Sequence, residues 1–172
     1  MNKQYLTNAN YIMDRQADYE TLEKLREKFK PVKEDIQSGN GNLAGFYSVN
    51  RKTKKLKLNK SRSYNFETDA GLYAVISSSL ALYRLCAYDG VTVHTYGQEA
   101  YKCVWSVGLV HEATGVVVHF GEHKGGFSFW TQYASVEDAP KDFIKDLTMF
   151  LEYLISDNFA HPYDGLVAGS VA

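Results

Sequence analysis

Apolar residues recur along this chain with two periods, and the points where the period changes mark out its elements. From Ile12 through Tyr19, Leu22, Leu25, Phe29, Val32 and Ile36 they return at helical spacing with charges between them, predicting one amphipathic helix. Pro31 lacks an N–H and its ring strikes the preceding turn, so the helix is expected to kink or restart there, with Pro31 in a first turn. Gly39 ends it, and SGNGN reads as a loop.

Period two then takes over. GFYSVN and KKLKLNK alternate in character on either side of Arg51 to Lys54, predicting a β-hairpin with a basic tip. Thr68 or Asp69 can cap a helix running to about Ala87. Its apolar residues are Leu72, Val75, Ile76, Leu80, Tyr83 and Cys86, and Arg84 is the only charge after its first turn, so the helix is expected to be central and covered on most sides. Residues 91–134 are rich in β-branched and aromatic residues and predict an antiparallel meander. Its EATG turn, with Gly115 in the left-handed position, sets His111 opposite Val117 and Leu109 opposite His119, placing both histidines on one sheet face. After Asp138 and Pro140, the residues Phe143, Ile144, Leu147, Phe150, Leu151, Leu154 and Ile155 form the apolar face of a last helix. The tail after residue 158 has no period that decides its state.

The expected fold is therefore a single α+β domain over residues 1–172. An antiparallel β-meander packs against a buried central helix and a C-terminal amphipathic helix, with an N-terminal helical segment (1–40), a basic hairpin (44–66), a core (68–158) and a tail (159–172). Composition agrees: hydrophobic residues at 45% and charged residues at 23% are ordinary for a globular chain. Aromatic residues reach 14%, which a tyrosine-rich core and sheet face explains.

Charge changes the picture more. Residues 51–62 (RKTKKLKLNKSR) carry seven of the nineteen basic side chains and no acidic one. Residues 63–172 hold thirteen acidic against five basic groups, so a near-neutral chain is in fact a basic insert followed by an acidic body. Arg51, Lys52, Lys54, Lys55, Lys57, Lys60 and Arg62, with the aromatics Tyr47 and Tyr64, are the expected binding residues. They suit an acidic protein surface, and also the phosphates and stacked bases of a nucleic acid. A solvated hairpin that merely protects a sheet edge would have the same composition.

Catalytic chemistry is weakly signalled. HFGEH spells H-x-x-E-H, but metal binding by that order needs a helix. VVVHFGEHKGG is strand-like, and a strand sets residues four apart roughly 13 Å from each other. His94, His111 and His119, with Glu122 and His123, could still converge across strands on a metal. KGGFSFW matches the aromatic strand of an RNA-recognition fold poorly, because an extra glycine interrupts it. Cys86 and Cys103 read as two reduced, packed thiols, with a single bridge between them left open. The N-terminus has no apolar run of a secretory leader, and Gly71 to Tyr88 is interrupted by Arg84 and three serines, so a cytoplasmic protein without a membrane span is expected.

The leading functional reading is a non-catalytic interaction or inhibitor protein that docks on a macromolecular partner, expected to be protein, through its charge asymmetry. Direct nucleic-acid binding is the first alternative and a metal-dependent enzyme using strand histidines the second. No cofactor and no resident metal are expected. A homodimer through the stripe of the N-terminal helix is a further possibility, set against packing of that stripe onto its own domain.

Overall fold

The computed structural model describes residues 16–33, 41–43, 46–50, 52–58, 75–86, 90–95, 103–123, 126–133 and 135–156. In chain order these form α1 (Gln16–Lys28), β1 (Phe29–Val32), β2 (Gly41–Asn42), β3 (Tyr47–Val49), β4 (Leu56–Leu58), α2 (Ser78–Leu85), β5 (His94–Thr95), β6 (Cys103–His111), β7 (Val117–His123), β8 (Gly126–Thr131) and α3 (Lys141–Ile155). Strands β1, β6, β7, β8 and β2 lie side by side in that order, β5 also pairs with β6, and every pairing is antiparallel. β3 and β4 make a separate two-stranded sheet. The fold is a single α+β domain with a β-meander, as the sequence predicts.

One face of the large sheet carries Val107, Leu109, Val118, Phe120, Phe127 and Phe129, all fully buried. α3 lies across it because its residues at three- and four-residue spacing, from Phe143 to Ile155, form one continuous apolar stripe. Phe150 meets Phe120 and Phe29 with ring centroids 5.4 Å apart in each case. Phe127 stacks on Phe120 and Trp105. Burying each such ring contributes roughly 1.5–3 kcal/mol, so among the described residues phenylalanine dominates the core where tyrosine was expected to share it.

Three expectations about the elements are corrected. The first helix stops at Lys28, and Phe29 to Val32 continue as an edge strand in which Phe29 lies opposite His111 and Pro31 opposite Leu109. Lys28 O accepts the Glu112 N–H at 2.9 Å, and hydrogen-bonded pairs alternate along an antiparallel ladder, so Phe29 and Pro31 turn their backbone toward the open edge. Pro31 thus gives up no ladder bond, which is why a helix breaker is tolerated there. Residues 34–40 lie outside the described set.

The second helix is also broken. Ser77 stands in extended backbone (φ −69°, ψ 155°), and its hydroxyl accepts the Leu80 N–H at 3.2 Å, so α2 begins anew after an N-cap hidden within the serine run. Far from being covered on most sides, α2 buries Ser78, Ala81 and Leu85 and leaves Leu80 and Tyr83 exposed. Its proposed start at Thr68 or Asp69 lies outside the described residues.

The third correction is a register of one residue. Val110 pairs with Val117, Leu109 with Val118 and Gly108 with His119. A slip of one residue turns a side chain to the opposite face. His111 therefore points into the core beside Leu109, while His119 lies on the other face against Trp130, with ring centroids 5.4 Å apart.

Candidate functional site

The basic hairpin forms as expected. Tyr47 pairs with Leu58, Ser48 with Lys57 and Val49 with Leu56. Alternation puts Tyr47, Val49, Leu56 and Leu58 on the face packed against the core, and Lys57 on the outer face. Two bonds tie the hairpin to successive turns of α3: the Tyr47 hydroxyl meets Thr148 Oγ1 at 3.2 Å, and the Leu56 N–H donates to Glu152 Oε1 at 3.3 Å.

The described tip, residues 52–54, is closed by side-chain chemistry. Asn50 Oδ1 accepts the N–H groups of Lys52 (2.9 Å) and Thr53 (3.1 Å), a turn that asparagine favours. The Lys54 N–H then bonds Asn50 O at 2.8 Å, with Lys54 at φ 57°, in the left-handed region. The β6–β7 turn has the same plan: the Gly115 N–H bonds His111 O at 2.7 Å, with Gly115 at φ 71°. Lysine thus occupies in one hairpin the position that glycine fills in the other.

Of the expected binding residues, Lys52, Lys55 and Lys57 are exposed, Lys54 is half-buried, and none of the four makes a salt bridge among the described residues. Tyr47 is corrected from a surface contact to a core residue. It is 1% exposed and stands edge-on to Phe129 at 5.7 Å, so nothing can stack on it. Burial pushes its hydroxyl up to about 12, against the pull of the Thr148 bond. Arg51, Lys60, Arg62 and Tyr64 lie outside the described residues.

Beside the hairpin runs a groove of about 570 Å³. It is lined by Leu58 of β4, by Val136, Glu137 and Ala139 of the turn before α3, and by Lys141, Ile144, Lys145 and Thr148 along α3. These last four residues recur at helical spacing, so along α3 Ile144 supplies apolar surface and Lys141 and Lys145 stand exposed beside it. Neither lysine was singled out from sequence, though the stripe on which they stand was legible.

A second constellation was missed. His111 is fully buried, and its Nε2 donates to Asp146 Oδ2 at 2.7 Å. Its Nδ1 meets Thr114 Oγ1 at 2.7 Å, and Lys28 Nζ stands 3.2 Å from Asp146 Oδ1. Burial raises the Asp146 carboxyl, but the bonds and charges of His111 and Lys28 outweigh it and hold the group below the usual carboxylate range. The order Thr–His–Asp matches that of a hydrolase relay. Here the hydroxyl lies within its own turn, next to the Val116 N–H, and the imidazole has no exposed edge, so the chain of bonds fastens the β6–β7 turn to α1 and α3. The helical spacing of Asp146 from Phe143 and Phe150 was the signal for its burial.

Among the described residues His94, His111 and His119 do not converge, and the His123 side chain lies outside the described set. His111 faces the core, His94 and His119 lie opposite residues of the other face, and Glu122, on the helix side, accepts a bond from Ser78 Oγ at 3.1 Å. Among the described residues no group of three His, Cys, Asp or Glu side chains could hold a metal ion. Cys86 is a free, exposed thiol, which corrects its expected packing, and the Cys103 side chain lies outside the described set. No described helix is long and apolar enough to cross a membrane. Compared with family models, curated proteins and solved structures, the chain matches none.

Proposed function

We propose that this chain is a small non-catalytic interaction or inhibitor protein that docks on an acidic protein surface through its basic hairpin. The observation that carries this reading is the tip itself. A lysine in the left-handed region costs roughly 1–2 kcal/mol, a cost that glycine would relieve. Strain kept at a half-buried lysine of the hairpin tip supports a functional role for that residue. The outward Lys52, Lys55 and Lys57 add cations that no described carboxylate neutralises. A firm base on α3 spares the partner the entropy of ordering the hairpin. The free thiol of Cys86 fits a reducing, cytoplasmic setting. Burial of Tyr47 and Phe46 takes two of the hairpin's aromatics away from any nucleic acid.

Fluorescence anisotropy tests the proposal with labelled polyglutamate and a labelled single-stranded oligonucleotide. Polyglutamate should bind, and the triple variant Lys52→Glu, Lys55→Glu, Lys57→Glu should weaken it by about tenfold or more, three exposed pairs at roughly 0.5 kcal/mol each. Unchanged polyglutamate affinity in the variant, or tighter binding of the oligonucleotide with a steep salt slope, overturns the reading.

A further inference from the structure

The groove beside the hairpin deepens that reading and rests on it. We propose that the groove between β4 and α3 seats a bulky apolar side chain of the same acidic partner. The ligand of the combined site is then a peptide segment with an aliphatic or aromatic residue flanked by carboxylates. Three features of the groove choose this occupant.

The first is continuity. Leu58 lines the groove, and the exposed Lys57 precedes it on the same strand, so the basic hairpin borders the groove along β4. The second is charge. Lys141 and Lys145 stand exposed beside Ile144, and Glu137 is the single carboxylate among the lining residues. With the hairpin lysines this spreads cations along the site, matching carboxylates distributed on a peptide rather than one concentrated head group. The third is size. From Lys141 to Thr148 the helix rises about 10 Å, the length of roughly three extended peptide residues and too short for a long acyl chain. Its volume of about 570 Å³ falls within the range of small-ligand pockets, roughly 300–1,000 Å³. Thr148 adds no competing polar demand, because its hydroxyl already donates to Ile144 O and meets Tyr47.

Three labelled synthetic peptides test the proposal by anisotropy on the full chain. One carries Leu-Phe flanked on both sides by glutamates, the second replaces Leu-Phe with Ser-Ser, and the third replaces the glutamates with glutamines. The first should bind about tenfold tighter than either control, equivalent to about 1.4 kcal/mol from apolar burial. The paired surface change Lys141→Glu, Lys145→Glu should remove most of that advantage. Leu58→Ser should do the same with the charges intact, and circular dichroism reports whether each variant is folded.

If the serine control binds as tightly as the Leu-Phe peptide, and both are lost in the hairpin triple variant, the groove is overturned while the hairpin reading stands. If no peptide binds, both fall. Binding of dodecanoate in place of the peptides overturns the proposal in favour of a lipid ligand.

Discussion

Asp146 lies between Phe143 and Phe150 on the buried face of α3, and a carboxylate survives there because His111 and Lys28 both meet it. Removing its charge strands a fully buried imidazole. Asp146→Asn should therefore lower stability by about 2–4 kcal/mol, read as a shift of the urea midpoint at neutral pH. An unchanged midpoint would show that the contact is expendable. The carboxyl is held below its usual 3.8, so its contribution is present above that value and is lost as pH falls through the lower folded value. The variant should flatten this acid limb. Tyr47 acts at the other end of the scale. Its hydroxyl is raised from 10.0 to about 12, so the fold keeps its full contribution below pH 10 and loses it as pH climbs toward 12. Tyr47→Phe should cost about 1 kcal/mol at neutral pH, the worth of one bond to Thr148, and should remove that alkaline loss.

At the scale of elements, the two hairpin loops set up a direct comparison. Lys54→Gly should gain up to about 1 kcal/mol in urea unfolding, since relief of the left-handed lysine exceeds the entropy that glycine adds to the unfolded chain. Asn50→Ala should lose about 1 kcal/mol, because two N–H groups lose their acceptor. A loss on Lys54→Gly would mean that the lysine is not strained. The hairpin, the meander and α3 were legible because each repeats one period over enough residues to be unambiguous. β1 was not, because Phe29 and Val32 are three apart, a spacing a helix shares, and only Pro31 hinted at an end. The face occupied by His119 turned on a single residue in the EATG turn, a count that composition does not settle. Asp146 was hidden by its own charge, which pointed to solvent while its spacing pointed inward. The groove beside the hairpin was out of reach, because Leu58 and Lys145 are brought together by packing alone.

For the whole molecule, the described part of the α1 stripe is spent on the domain's own core. Leu22 and Leu25 are buried there, leaving little of that part for a second copy. Sedimentation equilibrium at micromolar concentration should give the monomer mass, and a dimer that Leu22→Glu abolished without unfolding the chain would refute this. Separation of a basic tip from an acidic remainder should also make any self-association sensitive to salt. The strand edges bear on the same question. β2 is two residues long, and β1 turns Pro31 outward where an N–H would otherwise stand. An extended chain arriving at either border finds few backbone groups to pair with. The sheet is thereby blunted against growing into a neighbouring molecule, which protects a protein with such adhesive aromatic strands from fibril-like aggregation.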